Sequence, residues 1–496
     1  MRPPALAEIT ALTRQHLTTP DPHDAIRACG RAALALLPRD ADLCAQLAYQ
    51  KLHDVPYREV GRCWRRLYTD AGLWRAVGVV GSVDGGGEAG TGWVDEVVAL
   101  LDMSVILCGA AGREELVELW FVALEAAVGD AAAEEEEEEE EEEGTASCKG
   151  GRSYHDTPER ASKRRKKGDV ENKVLLPASF DTAGPAPGPA LRYPLPRAHA
   201  PGFDFFQRKL EDTVTQTPLI ITGAIQHWPA LDERPWSSPA YLMRRTLGGR
   251  RLVPVEVGRS YTDEGWGQRV VKFGDFVRRY MLGGCHDEDN DDNDNDNNRS
   301  GTGYLAQHDL FAQIPALRAD ISIPDYCYAA PARATHCGHE VAPEEDKEEV
   351  PGEPLLNAWF GPRNTISPLH TDPHHNILAQ VVGYKYVRLY APDQTARLYP
   401  RGIEGGGVDM GNTSAVDLDS AMEAWNELSC WPGAGHGGER GRDQEKMSRF
   451  ETEFPDFKHA SYVEGILGPG ECLYIPLGWW HYVRSLTASF SVSFWF

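Results

Sequence analysis

Residues 364–376 read NTISPLHTDPHHN, and residues 377–390 continue as ILAQVVGYKYVRLY. Short runs rich in β-branched and aromatic residues, bounded by Gly or Pro, are typical of β-strands. LLNAWFG (355–361) has the same texture, and SFSVSFWF (489–496) alternates small polar with large apolar side chains, which indicates a half-buried strand. Many short strands and few long helices predict a sandwich or a jelly roll for this part of the chain.

Two residues of the opening stretch, His370 and Asp372, are separated by one residue. Side chains at i and i+2 of an extended strand point to the same face, so this imidazole and this carboxylate are expected to converge. His481, in GECLYIPLGWWHYV (470–483), offers a third ligand. Two histidines and one carboxylate that leave open positions form the facial triad of non-haem Fe(II) oxygenases. A His-x-Asp pair alone also arises by chance, so the prediction depends on the residues around it.

Lys385 strengthens the prediction, because it lies among Val, Tyr and Leu on the strand candidate after Asp372. A lone ammonium is costly to bury, so this side chain must reach solvent or find an anion. The distal carboxylate of 2-oxoglutarate would supply that anion, since the other end of the molecule chelates iron. The alternative is a surface lysine on an edge strand.

Residues from about 203 to 496 resemble the JmjC-domain oxygenases of the cupin superfamily. The resemblance is greatest to the branch whose members are described as lysine demethylases and as arginyl hydroxylases. It implies an α+β protein, with a C-terminal cupin-like double-stranded β-helix (jelly roll) JmjC domain and an N-terminal helical domain. It also implies a dioxygenase that uses Fe(II), 2-oxoglutarate and O₂. The segments that carry it are VPVEVGRSYTDEGW (253–266), GYLAQHDLFAQIP (303–315), NAWFGPRNTISPLHTDPHHN (357–376) and YIPLGWWHYVRSL (474–486).

The resemblance further implies roles for single residues. The positions that match the iron ligands are His370, Asp372 and His481. The positions that match contacts to 2-oxoglutarate are Lys385 for the carboxylate, and Tyr304, Ser367 and Asn376 for hydrogen bonds. Three residues are candidates for the substrate channel: Glu256, Trp266 and Trp359. For the two tryptophans, an ordinary place in the hydrophobic core is the alternative.

Three functions stay open on the sequence alone. The first is hydroxylation of an arginine or another basic side chain of a protein, for which a carboxylate such as Glu256 suits a guanidinium. The second is demethylation of histone lysine, because hydroxylation of an N-methyl group releases formaldehyde, and an aromatic cage would suit the methylammonium. The third is a non-catalytic nuclear scaffold. The expected partner is therefore a histone or another basic protein.

The length of 496 residues predicts two domains. Residues 1–130 are expected to form a helical interaction domain, because apolar residues recur at spacings of three and four. Residues 131–200 are expected to be a disordered acidic, basic and Pro-rich linker. Residues 201–496 are the predicted oxygenase domain, interrupted by an acidic insertion at 286–300 and a loop insertion at 401–458.

The formal net charge of −25 comes largely from two tracts, Glu134–Glu143 and residues 287–298. Such tracts are usually solvated, although they can also compete for basic partners. An acidic chain argues against direct nucleic-acid binding. The ten Cys form no CxxC pair, no stretch reaches the ~18 apolar residues of a membrane span, and we expect a monomer with free thiols.

The basic cluster Lys163–Lys167 is either a solvated patch or a nuclear-import signal. We expect a nuclear location, alone or with a cytoplasmic pool. Deletion of these five residues should move a fluorescently tagged chain from the nucleus to the cytoplasm, which microscopy measures. Unchanged localisation would leave the solvated patch as the correct interpretation.

Overall fold

The computed structural model describes residues 2–19, 21–83, 92–129, 176–184, 188–212, 216–263, 265–283, 302–331, 352–404, 407–431 and 444–496. The chain divides into two compact units, Met1–Leu176 with Arg250–Leu252, and Pro177–Gly249 with Val253–Phe496. The predicted acidic insertion at 286–300 and the basic cluster lie outside the described residues. The end of the predicted linker is described and carries a strand, and the predicted domain bounds remain a prediction.

The first unit is helical, as its apolar periodicity predicts. Asp40 begins one helix, because its side chain accepts a hydrogen bond from the Leu43 N–H at 2.9 Å. Within the described ranges, no helix of either unit is both long and apolar enough to cross a bilayer. The helices of this unit are Leu6–Thr18, Arg31–Leu36, Ala41–His53, Arg62–Val83, Gly92–Cys108 and residues 114–129, with short 3₁₀ turns at Ala25–Cys29 and Tyr57–Glu59.

The strands of the described residues form two sheets. One has the order β1-β2-β11-β8-β13-β6-β5-β3-β4, and the other has the order β10-β9-β12-β7. The strands are β1 (Arg197–His199), β2 (Leu219–Thr222), β3 (Leu252–Val257), β4 (Gly267–Lys272), β5 (Gly303–His308), β6 (Leu355–Gly361), β7 (Ile366–His370), β8 (Asn376–Val382), β9 (Lys385–Tyr390), β10 (Tyr462–Leu467), β11 (Glu471–Ile475), β12 (Trp480–Ser485) and β13 (Ser489–Trp495).

Short helices connect and flank these strands. The α-helices are Phe203–Glu211, Pro239–Arg245, Phe273–Phe276, Leu310–Gln313, Pro315–Arg318, Leu418–Ala424 and Gln444–Glu453. A π-helical turn at Val277–Met281 directly follows the helix Phe273–Phe276. The 3₁₀ turns are Pro229–Leu231, Asp325–Tyr328, Pro392–Arg397 and Phe457–His459.

The two sheets pack face to face, which confirms the predicted jelly roll within an α+β protein. Their shared core joins Leu378 of β8 and Leu473 of β11 to Val387 and Leu389 of β9 and Val483 of β12. All six residues of β9 are buried, because alternate side chains point to opposite faces of the strand and both faces are covered. The inner face therefore carries Lys385 with these valine and leucine side chains.

The outer face of β9 and β12 is covered by the segment 401–458, for which the sequence predicts a loop insertion. Tyr386 and Tyr390 of β9 and Tyr482 of β12 would otherwise expose their rings to water. The segment instead forms two helices and packs on these rings as part of the hydrophobic core. The large side chains that it adds to this core are Leu418, Met422, Trp425, Leu428 and Phe457.

The tight turn between β8 and β9 depends on Gly383. Its φ is +73°, and an added Cβ would lie 1.9 Å from the Ala488 carbonyl oxygen. Gly383→Ala should lower the free energy of unfolding by about 2–4 kcal/mol, from left-handed strain and overpacking together. Urea unfolding measures the change. Gly402→Ala, where no atom lies within 4 Å of the added Cβ, is the matched control, and equal effects would contradict the interpretation.

Candidate metal and cosubstrate site

Two of the predicted ligands lie opposite each other on paired strands. His370 is the last residue of β7, His481 lies on β12, and the two are register partners. The register then shifts, because two steps along β12 to Val483 correspond to three steps along β7 to Ser367. This bulge brings Ser367 and His370 to one side of the pair, where both line the same cavity.

Asp372 reaches the site in a different way from the one that its spacing predicts. β7 ends at His370, so the aspartate lies beyond the strand rather than on it. Asn376 holds the carboxylate, since its Nδ2 donates to Asp372 Oδ2 at 2.8 Å. The three side chains nevertheless converge: one donor atom each of His370, Asp372 and His481 lie within 4.8 Å of one another.

Backbone carbonyls orient both imidazole rings. His370 Nδ1 lies 2.7 Å from the Pro368 oxygen, and His481 Nδ1 lies 3.2 Å from the Trp479 oxygen. A ring that donates through Nδ1 presents the lone pair of Nε2. Both Nε2 atoms face Asp372, at 3.6 Å from His370 to Oδ1 and 3.5 Å from His481 to Oδ2. Two nitrogen donors and one oxygen donor therefore point to a common centre.

His481 is suited to bind a cation because its ring is neutral at pH 7. Burial is the main cause that lowers its pKa to about 4, and the neighbouring His370 lowers it further, while Asp372 opposes the shift. A metal ligand must offer a deprotonated nitrogen, and this ring does so without losing a proton first.

Lys385 is buried in the same cavity. Its Nζ lies 3.3 Å from the Tyr304 hydroxyl, and it has no carboxylate partner among the described residues. Burial lowers its pKa to about 7. The Tyr304 hydroxyl also hydrogen-bonds to Ser367, and burial raises the pKa of the phenol. The four residues predicted to contact 2-oxoglutarate thus line one cavity with the predicted metal ligands: Tyr304, Ser367, Asn376 and Lys385.

The donor set and the cavity fit Fe(II) and 2-oxoglutarate. Two imidazoles and one carboxylate suit iron, and Lys385 offers an ammonium to a dicarboxylate. Asn376 Oδ1 is buried without a hydrogen-bond partner, and such atoms mark places where a bound ligand or water completes the site.

The candidate substrate residues fall into two groups. Trp359 lines the cavity that contains Lys385 and the triad, and its ring lies 6.0 Å from that of Tyr304. Glu256 is the register partner of Tyr304 on the neighbouring strand, and Trp266 Nε1 donates to its Oε2 at 3.3 Å. Burial raises the pKa of Glu256, and the hydrogen bond from Trp266 partly opposes the shift. Glu256 and Trp266 are thus in contact beside the cavity.

A contact beside the candidate metal ligands has no signal in the sequence. The Tyr261 hydroxyl lies 3.4 Å from Thr413 Oγ1, and Thr413 forms a β-bridge with His370. Burial is the main cause that raises the pKa of Tyr261, and the charges of Glu256 and Asp372 raise it further. The contact joins segments 152 residues apart, and neither segment carries a local signal for it.

Comparison with known proteins identifies the family. Residues 206–496 match the family described as a cupin-like domain. The chain is 34% identical over 514 aligned residues to lysine-specific demethylase 8 of Xenopus tropicalis, across 99% of this chain and 97% of that protein. It is 37% identical to JmjC domain-containing protein D of Dictyostelium discoideum, across 57% of this chain and 52% of that protein.

A human relative is named for a different activity. The bifunctional peptidase and (3S)-lysyl hydroxylase JMJD7 is 23% identical, across 56% of this chain and 77% of that protein. The cupin-like match covers more than half of this chain, and the similarity to the Xenopus protein covers nearly all of both chains. The chain therefore belongs to the JmjC family of cupin-like, 2-oxoglutarate-dependent oxygenases.

Proposed function

We propose that this protein is an Fe(II)- and 2-oxoglutarate-dependent dioxygenase that hydroxylates an arginine or another basic side chain of a protein. The single observation that carries the proposal is the convergence of His370, Asp372 and His481 beside a buried Lys385. The triad would hold iron, and the lysine would bind the distal carboxylate of 2-oxoglutarate. The remaining cosubstrate contacts in the proposal are Tyr304, Ser367 and Asn376.

The chain's own residues would bind the metal and the cosubstrate, orient the metal ligands, and exclude water from the cavity. When bound, Fe(II) with 2-oxoglutarate and O₂ supplies the oxidant that inserts one oxygen atom into a substrate C–H bond, while 2-oxoglutarate leaves as succinate and CO₂. Pro368 and Trp479 fix the histidine rings through their carbonyl groups, and Asn376 fixes the Asp372 carboxylate. Leu378, Ile475 and Val483 give the cavity apolar walls that keep water from the reacting carbon.

Glu256 and Trp266 support a basic side chain as the target. A carboxylate accepts the planar fork of a guanidinium, and an indole ring attracts a cation over its face. Burial raises the pKa of Glu256, because the surrounding protein disfavours its charge. A bound guanidinium would reverse this effect, because an opposite charge favours the ionised carboxylate.

Lysine demethylation is the second candidate. The Xenopus relative is named a lysine-specific demethylase, which supports this candidate, whereas the human relative is named a lysyl hydroxylase, which supports hydroxylation. The same oxidant serves both, so the substrate side chain decides the product. A non-catalytic scaffold is the weaker alternative, because a scaffold needs neither the converged triad nor a buried lysine. The proposed enzyme acts as a nuclear monomer on a histone or another basic protein, without direct nucleic-acid contact.

Mass spectrometry of peptides tests the reaction. The full chain with Fe(II), ascorbate and 2-oxoglutarate should add one oxygen to an arginine peptide, and Asp372→Ala should abolish the product because the triad loses a ligand. Asp275→Ala, an exposed aspartate, is the matched control. Loss of a methyl group from methyl-lysine histone peptides would establish the demethylase instead. No product and no succinate above the Asp372→Ala level would favour the scaffold.

A companion variant, Glu256→Gln, distinguishes the pocket for the substrate side chain from the cavity for 2-oxoglutarate in the same assay. Removal of one partner of a buried charge pair costs about 2–5 kcal/mol, so the KM for an arginine peptide should rise at least about 30-fold. Turnover of 2-oxoglutarate without peptide should stay unchanged. An unaltered KM would show that the guanidinium binds elsewhere.

Lys385→Met should weaken 2-oxoglutarate binding about 30-fold or more, because the distal carboxylate loses its buried partner. The same change should raise the melting temperature of the ligand-free protein at pH 7.5. The folded state holds the pKa of Lys385 near 7 against an ordinary 10.5, so between these values only the unfolded chain binds the proton. Stability therefore rises with pH across this window, and the lysine is destabilising at its lower end.

Calorimetry with Mn(II) in place of Fe(II) measures the affinity, and thermal melts from pH 7 to 10 measure the stability. The variant should show a flatter pH dependence than the wild-type chain. Lys51→Met, at an exposed ion pair with Asp54, is the matched control. A lower melting temperature together with normal 2-oxoglutarate affinity would contradict the assignment of Lys385.

A further inference from the structure

The segment between β3 and β4 stands beside the candidate substrate residues. It begins at Gly258, whose φ of +137° turns the chain and whose N–H donates to the Thr302 oxygen. The segment then folds back on itself, since the Asp263 N–H donates to the Ser260 oxygen. It leads directly to Trp266, the hydrogen-bond donor to Glu256.

Arg259 ties this segment to the helix Leu418–Ala424. Its guanidinium binds Asp417 through two hydrogen bonds, at 2.9 and 3.1 Å, and also lies 3.1 Å from Asp419 and 3.3 Å from Asp263. Burial alone would raise the pKa of Asp417, but the hydrogen bonds and the charge of Arg259 lower it. A guanidinium that donates two hydrogen bonds to one carboxylate fixes the relative orientation of the two groups as well as their distance.

Asp419 continues the connection to the strand that carries His481. Its Oδ1 accepts hydrogen bonds from the Tyr482 hydroxyl at 2.8 Å and from Arg484 Nη1 at 3.0 Å, and both residues lie on β12. Arg259 is therefore joined, through Asp419, to the rigid sheet at the metal ligands. Such a link sets the distance between the β3–β4 segment and the triad.

Tyr261 is an aromatic residue of this segment with a contact near the triad. It lies two residues after Arg259, and its hydroxyl lies 3.4 Å from the Oγ1 of Thr413, which forms a β-bridge with His370. Trp266, at the other end of the segment, donates a hydrogen bond to Glu256. A displacement of the segment would therefore move both rings relative to Thr413 and Glu256.

We propose that Arg259 is a positioning residue that fixes Tyr261 against Thr413 and Trp266 against Glu256, and so sets the width of the pocket that takes a basic substrate side chain. This inference rests on the proposed function, because it assigns the pocket to the substrate. Among the described residues, Arg259 forms hydrogen bonds with Asp263, Asp417 and Asp419 and with no member of the triad, so we expect its main effect to be on substrate binding.

Kinetics of Arg259→Met and Arg259→Lys test the role, with the arginine peptide that the wild-type chain turns over best. The Met variant should raise the peptide KM about tenfold while kcat and peptide-free 2-oxoglutarate turnover stay within about twofold. The Lys variant should recover part of the loss, since it keeps the charge but not the fork. Arg449→Met, at an exposed pair with Glu453, is the matched control.

Hydrogen exchange gives a readout that needs no substrate. The amides of residues 258–263 should exchange about tenfold faster in Arg259→Met, because the segment loses its attachment to the helix and opens more often. Asp417→Asn should produce the same acceleration, and the double variant should add little to either single change. Asp417→Asn also serves if the Met variant does not fold.

The outcomes separate this inference from the proposed function. If the wild-type chain oxidises no peptide, the proposed function fails, and faster exchange in the variants still establishes Arg259 as the residue that positions the segment. Unchanged exchange overturns the inference whether or not the enzyme is active. An equal fall in peptide-free turnover and in peptide hydroxylation would also overturn it, because a general structural defect would then explain both.

Discussion

The buried ammonium of Lys385 constrains the rest of the site. Its strand is covered on both faces, so the side chain cannot reach water, and burial holds its pKa near 7. A lysine in this place costs stability while the cavity is empty. The cost is understandable if an anionic ligand enters beside it, since the same low dielectric that opposes the lone charge strengthens the pair. The cavity accordingly brings this lysine together with the hydroxyl of Tyr304 and the converged triad.

Much of this site could be predicted from local patterns. The alternation of side chains along a strand predicts that Lys385 lies on the same face of β9 as Val387 and Leu389. The residues around His370 and His481 predict strands without any knowledge of the strands that they pair with. The approach of Asp372 could not be predicted in this way. The strand ends before it, and a hydrogen bond from Asn376 replaces the pleat as the cause of convergence. A bulge in β7 is likewise invisible in sequence, because it is defined only by the pairing with β12.

The rest depends on contacts between distant segments. Glu256 and Tyr304 meet because β3 pairs with β5, and neither run of residues specifies the register. The role of the segment 401–458 is also hidden, since its Gly-rich stretches indicate loops while its Leu, Trp and Phe side chains find their partners on β9 and β12. The family resemblance, rather than composition or periodicity, indicated the candidate substrate residues. The structure places Trp359 in the cavity with the triad, whereas Glu256 and Trp266 contact each other beside it.

The segment 401–458 has a consequence for the behaviour of the chain in concentrated solution. β7 is the last strand of its sheet, and residues next to Thr413 pair with it: the Thr371 N–H donates to the Asn412 oxygen, and the Ser414 N–H donates to the Leu369 oxygen. An open strand edge is a template on which other chains assemble. The residues around Thr413 thus cover the edge of β7, and the same segment shields the aromatic rings of β9 and β12. Shortening the segment would expose the strand edge and the rings together, so we expect the shortened chain to aggregate.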